Sequence, residues 1–219
     1  MTLAIFDLDN TLIAGDSDHL WGEFLVQRNI VDAASYKAAN DRFYQDYLDG
    51  RLDVFAYQEF VLGALKPHSL DTLQRLHQAF MAEVIEPIWL PRAEALLAEH
   101  RDQGHTLMII TATNDFITAP IAARLGVEHL IATVAQTRAN RYTGRVVGTP
   151  SYREGKVERL AGWLREHRAN LEGSYFYSDS HNDLPLLQRV SHPVAVDPDA
   201  TLERYAREHG WPVISLRAP

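Results

Sequence analysis

Chemistry-bearing residues fall in three short runs and at one isolated lysine. The chain begins, after Met1 and Thr2, with Leu3-Ala4-Ile5-Phe6-Asp7-Leu8-Asp9-Asn10-Thr11-Leu12. Here an apolar segment ends in two acids two positions apart, with a hydroxyl two further on. Like charges this close repel, and neither carboxylate can be buried unpaired without a large cost. The second run, Ile-Thr-Ala-Thr-Asn-Asp, carries Thr111; the third, Tyr-Ser-Asp-Ser-His-Asn-Asp, carries Asp179, Asn182 and Asp183. The lysine is Lys156, just before an amphipathic stretch. Any one of these alone reads as a turn or a helix cap. Gathered together they make four carboxylates, two hydroxyls, an amide and an ammonium. Four carboxylates require a hard cation. Without Cys or clustered His, oxygen donors point to Mg²⁺ rather than Zn²⁺. Lys156 and Thr111 add donors for an anion, and the set describes a phosphoryl-transfer site. A carboxylate can itself be the nucleophile, giving an aspartyl-phosphate, while a second handles protons.

Gathering these residues is the task of the surrounding elements. Leu3 to Phe6 has the pattern of a short strand buried on both faces. From about Asp16 to Glu86, apolar and aromatic residues recur every three or four positions, as in Trp21, Phe24 and Leu25, or Phe43, Tyr44, Tyr47 and Leu48. That spacing predicts several amphipathic helices and no strand. Beyond Pro87 the pattern alternates. Helices are expected over Pro91–Gln103, Phe116–Leu125 (with a kink at Pro120), from Val157 onward, Leu184–Val190 and Thr201–His209. Strands are expected over His105–Ile110, Leu130–Val134, Tyr175–Ser178, Pro193–Val196 and Val213–Ser215. Thr137 to Val147 suggests a hairpin around Thr143-Gly144. Such alternation predicts an α/β fold: a Rossmann-like parallel sheet with helices on both faces. Residues 1–15 and 87–219 then form the core, and 16–86 an all-helical cap inserted after the first strand. Ligands in such sheets bind beyond the carboxyl ends of the strands, where the chemistry-bearing runs fall.

Composition narrows the function classes. The chain has 219 residues, 46% hydrophobic and 23% charged, with a net charge of −8 and no cysteine. That balance suits a globular protein and disfavours a nucleic-acid partner, which wants clustered Lys and Arg. Disulfides, thiolate metal sites and a Cys nucleophile are excluded. No apolar run approaches a membrane span, and the N-terminus has no leader pattern, so a cytoplasmic location with no membrane partner is expected.

The motifs resemble those of the haloacid dehalogenase superfamily of phosphatases, in its phosphoserine-phosphatase-like branch with a C1 helical cap. Phe6-Asp7-Leu8-Asp9-Asn10-Thr11-Leu12 is similar to the first motif, Thr111 to the second, Lys156 to the third, and Asp179 with Asp183 to the fourth. All four occur in order across almost the whole chain. The resemblance implies that Asp7 attacks phosphorus and that Asp9 protonates the leaving oxygen and later activates water. It assigns phosphate oxygens to Thr111, Ala112, Lys156 and Asn182, and a Mg²⁺ site to Asp7, Asp9, Asp179 and Asp183. The D-x-D pair favours phosphate over halide chemistry. The implied substrate is a small phosphate ester.

The cap should choose the leaving group. Phosphoserine phosphatases carry a Glu soon after the first motif and an Arg in the cap. Asp16 stands near the first position, as a candidate substrate contact, but no Arg occurs near Val61. Arg51 is a poor substitute, expected on a solvated helix end. Acids at Asp16 and Asp18 without a carboxylate clamp suit an amino-alcohol phosphate such as histidinol phosphate; capping of the first cap helix by these acids is an equal reading. Phosphoserine, or transfer of the phosphoryl group to an alcohol, remains an alternative. A calcium loop is disfavoured because Leu12 stands where the sharp turn needs Gly. A receiver-type signalling domain would be shorter and lack the insertion.

Overall fold

The computed structural model describes residues 2–217. Its centre is a seven-stranded sheet of β1 (Leu3–Phe6), β2 (Thr106–Asn114), β3 (His129–Arg138), β4 (Arg141–Val147), β5 (Tyr175–Ser178), β6 (His192–Val196) and β7 (Val213–Ile214). The order is β4-β3-β2-β1-β5-β6-β7, parallel throughout except for β4. The α/β expectation holds. The chain grows outward from β1 on one side and returns on the other, so β1 and β5 flank the switch point where such sheets bind ligands.

β1 shows why this core closes. Its side chains alternate between faces, and all four are fully buried. Ala4 and Phe6 join one apolar cluster with Ala93, Leu97, Ile117 and Ile121. These belong to α5 (Pro91–Asp102) and α6 (Asp115–Arg124). Leu3 and Ile5 join the other, with Leu160, Leu186, Leu187 and Leu202. Those residues lie on α7 (Glu154–His167), α8 (Leu184–Leu187) and α9 (Ala200–Glu208). Helix α6 runs continuously through Pro120.

Between β1 and α5 lie four α-helices, α1 (Ser17–Gln27), α2 (Ala33–Leu48), α3 (Val54–Gly63) and α4 (Leu70–Phe80), followed by short π- and 3-10-helical turns over Met81–Ile85 and Glu86–Ile88. Each α-helix begins at an acid or serine whose side chain accepts from first-turn backbone N–H groups: Asp16, Asp32, Asp53 and Ser69. Such caps satisfy donors that the helix itself cannot. The predicted aromatic face of α1 is core, whereas on α2 Phe43, Tyr44 and Tyr47 are only partly buried and Leu48 is exposed. Trp21 is fully buried, 5.4 Å from Phe24 and 5.2 Å from Phe80 between ring centres. The chain leaves and re-enters the sheet side by side, joined by an antiparallel bridge between Ile13 and Trp89.

Two expectations are corrected. The hairpin turns at Ala139-Asn140, not around Thr143-Gly144. Ala139 and Asn140 have φ of 49° and 56°, the twist a two-residue connection needs. Gly144 instead lies inside β4, where the pairing with β3 shifts register. β2 also runs past Ile110. Ile110 pairs with Ile131 and Asn114 with Thr133, leaving three residues of β2 opposite one of β3. Thr111, Ala112 and Thr113 are therefore carried on a bulge at the strand's carboxyl end, a common device for aiming side chains into a site.

Candidate active site

Asp7 leaves β1 with its backbone N–H donating to Tyr177 O at 2.9 Å, which ties it to β5. Its side chain is buried. Lys156, in the first turn of α7, donates to Asp7 Oδ1 at 2.8 Å and to Asp183 Oδ2 at 2.7 Å. Gly155 lets the start of α7 pack against Pro150, since a Cβ there would stand 2.1 Å from the Pro150 carbonyl oxygen. Ser178 Oγ donates to the same oxygen of Asp183 at 2.7 Å. Thr11 Oγ1 accepts from the Asp179 backbone N–H at 3.1 Å and lies 3.2 Å from Asp179 Oδ1. One lysine and one threonine thus join the ends of β1 and β5.

Asp9 faces the other way. Its Oδ1 accepts from the Ser17 backbone N–H at 2.7 Å, and its Oδ2 from Thr113 Oγ1 at 2.8 Å and Thr111 Oγ1 at 3.4 Å. The β2 bulge therefore orients Asp9. Thr113 is a positioning residue absent from the sequence reading; the one available signal was a second hydroxyl two residues beyond Thr111.

Burial dominates the electrostatics. It raises Asp7 to about 7 against the pull of Lys156, with Asp183 and Asp9 adding to the rise. Burial, then Asp16, raises Asp9 to about 6, while bonds from Ser17 and Thr113 oppose the rise. Burial, then Asp7, holds Asp179 well above the usual carboxylate range. Burial pulls Lys156 down, but Asp183 and Asp7 outweigh it and the ammonium is held charged. One ammonium among four carboxylates leaves a deficit of positive charge.

Asp7, Asp9, Thr111 and Ala112 line one cleft between the sheet and helices α1 to α3. Asp16 lines it too, and also caps α1, its Oδ1 accepting from the N–H groups of Asp18 and His19 at 3.0 and 2.9 Å. The capping reading of Asp16 is thus observed, and the same residue stands on the cleft wall. Asn182, expected at the phosphate, has its amide engaged by neighbouring residues. Its Oδ1 accepts from Tyr152 Oη at 3.1 Å and Arg153 Nε at 3.0 Å, and its Nδ2 donates to Tyr47 O at 3.1 Å. Arg51 is exposed and paired with Asp49 at 2.6 Å. Among the described residues no three His, Asp or Glu side chains already form a metal-holding group, and no helix is long and apolar enough to cross a membrane.

Comparison with known proteins gives this arrangement a context. The sequence profile of the haloacid dehalogenase-like hydrolases matches residues 4–188. A histidinol-phosphatase of Neisseria meningitidis is 47% identical, over 98% of this chain and 99% of its own. A phosphoserine phosphatase of Mycobacterium tuberculosis is 34% identical, over 98% of this chain and 70% of its own. A crystal structure of a protein of unknown function from Bordetella pertussis Tohama I superposes with a TM-score of 0.92 at 44% identity, covering 99% of this chain and 100% of that one. A substrate-bound phosphoserine phosphatase shares the fold, with a TM-score of 0.72 at 16% identity over 99% of this chain and 93% of its own. The chain belongs to the haloacid dehalogenase-like hydrolase family.

Proposed function

We propose that this chain is a Mg²⁺-dependent phosphomonoester hydrolase that works through an aspartyl-phosphate on Asp7. Its substrate is a small amino-alcohol phosphate such as histidinol phosphate. The observation that carries this reading is the pairing of Lys156 with Asp7 at 2.8 Å, beside an independently oriented Asp9 in the same cleft. The histidinol-phosphatase similar along its whole length supports the substrate. A cytoplasmic location fits a small metabolite as substrate.

Residues 1–15 and 87–219 act as the catalytic core, and 16–86 as the cap that selects the leaving group. Asp7 attacks phosphorus and the ester P–O bond breaks. Asp9 gives its proton to the departing alcohol; a value near 6 lets it hold that proton close to neutral pH. Water then attacks the phosphorylated Asp7, Asp9 accepts the proton, and inorganic phosphate leaves. Lys156 fixes the attacking oxygen, and the backbone and hydroxyl of the Thr111–Ala112 bulge meet the phosphate. The donor set is all oxygen and short of positive charge, which suits Mg²⁺. Asp7, Asp179 and the Asp9 carbonyl would hold the ion, with Asp183 behind them. When bound, it neutralises charge on the phosphoryl group.

The test is phosphate release from histidinol phosphate by the purified protein. Turnover should require Mg²⁺ and stop in excess chelator; undiminished release with chelator would overturn the metal assignment. Asp7→Asn should lose roughly 10³-fold or more in kcat. Near-normal turnover there would mean another nucleophile.

A further inference from the structure

We propose that Asp18 and Gln58 form the subsite that selects the leaving group, and that they take a protonated amine or imidazolium on an alcohol lacking a carboxylate. This rests on the phosphatase reading above and assigns its specificity to two side chains. Asp18 lies in the first turn of α1 and Gln58 in the middle of α3, forty residues apart, and both line the cleft that holds Asp7 and Asp9. They are 2% and 1% exposed. Neither oxygen of Asp18 has a hydrogen-bond partner, and Gln58 Oε1 has none. The Tyr57 hydroxyl neighbours Asp18 without completing a well-formed bond.

Buried acceptors left without donors destabilise a fold, more so when charged. Such groups in a native fold point to a missing partner. Three buried acceptor oxygens on two cleft-lining side chains call for a ligand rich in N–H donors. The charge balance says the same. No Lys, Arg or His stands among the described residues lining this cleft, whereas Asp16 and Asp18 both do. A carboxylate on the leaving group would meet two acids and no cation. A cation would meet compensating charge, with the rings of Tyr44, Tyr47 and Tyr57 as further walls.

Steady-state kinetics on the full chain with Mg²⁺ test this, using histidinol phosphate, phosphoserine and p-nitrophenyl phosphate. Wild type should favour histidinol phosphate over phosphoserine. In Asp18→Asn the kcat/KM ratio of histidinol phosphate to the neutral aryl ester should fall roughly 10- to 100-fold, mainly through KM. Gln58→Leu, which keeps size and removes the acceptor, should shift the ratio the same way by a smaller factor. An unchanged ratio in both variants, whether activity is kept or lost on both esters together, would overturn the proposal. Calorimetric titration with histidinol, which carries no phosphate, is the second readout: wild type should bind it and Asp18→Asn should bind it at least about tenfold more weakly. Equal binding, or none to wild type, would overturn the subsite. A wild type that hydrolyses neither histidinol phosphate nor the aryl ester would overturn the phosphatase reading instead, and the titration alone would then decide the subsite.

Discussion

Asp9 is held by donors from two separate parts of the chain, the start of α1 and the bulge of β2. Its orientation is therefore a property of how the cap-side helix and the sheet meet, not of the D-x-D run itself. Thr113 is the shorter of the two hydroxyl contacts, and its bond opposes the rise in Asp9's proton affinity caused by burial. Thr113→Val keeps the shape and removes the donor. Loss of a hydrogen bond to a carboxylate is worth about 1.5–3 kcal/mol, so kcat should fall roughly 10- to 100-fold with little change in KM. With that bond gone, Asp9 should keep its proton to higher pH, and the alkaline limb of the kcat profile should move upward. A profile unmoved in Thr113→Val would mean that the hydroxyl does not act through Asp9.

At the scale of elements, the end of α2 is fastened to the core by a small latch. Arg153 Nη2 donates to Gly50 O at 2.7 Å while its Nε reaches Asn182, whose amide in turn donates to Tyr47 O. Both carbonyls lie at the carboxyl end of α2, where the helix dipole favours a cation. Gly50 has φ of +66°, and a Cβ there would stand 2.6 Å from Arg153 Nη2. Arg153 itself has φ of 51°, an uncommon conformation for a side-chain-bearing residue. Arg153→Leu should release α2 and α3 over the cleft, raising KM for the proposed substrate roughly tenfold. Faster amide hydrogen exchange at the carboxyl end of α2 should accompany it; unchanged exchange would mean that the latch does not hold this element. None of this was legible in the sequence, because the latch joins residues 103 positions apart. What could be read was local: β1 and its acids, the helix periodicity after Asp16, and the alternation that makes the parallel sheet. The bulge that recruits Thr113 escaped, since register between β2 and β3 depends on tertiary pairing. The engagement of the Asn182 amide escaped for a similar reason, its partners lying on α2 and beside α7. Asp18 drew notice for its charge, but its lack of partners is visible only once α3 is packed beside it.

Across the whole molecule, the fold accepts a cluster of buried carboxylates at the switch point, and this makes its stability depend on pH and cation together. Asp7 is raised from 3.8 to about 7 and Asp9 to about 6, burial being the first cause in each. A carboxylate whose folded value is raised favours the fold while it is protonated. That contribution is complete below the unfolded value near 4 and is lost as pH rises through about 6 to 7. The chelated protein should therefore carry its largest electrostatic penalty at this site above pH 7. A divalent cation binds the ionised form and competes with protons for the same oxygens. The rise in Tm produced by saturating Mg²⁺ should then be larger at pH 7.5 than at pH 5.5. Taking each difference at fixed pH cancels titration of the buried His77 and His100, which burial pulls below their ordinary value and which would otherwise act in the opposite sense. In Asp7→Asn both the shift and its pH dependence should shrink, since the amide neither titrates nor offers the same charge. Scanning calorimetry with and without Mg²⁺ at the two pH values checks this. An equal or larger shift at pH 5.5 would show that the buried acids are not where the ion binds.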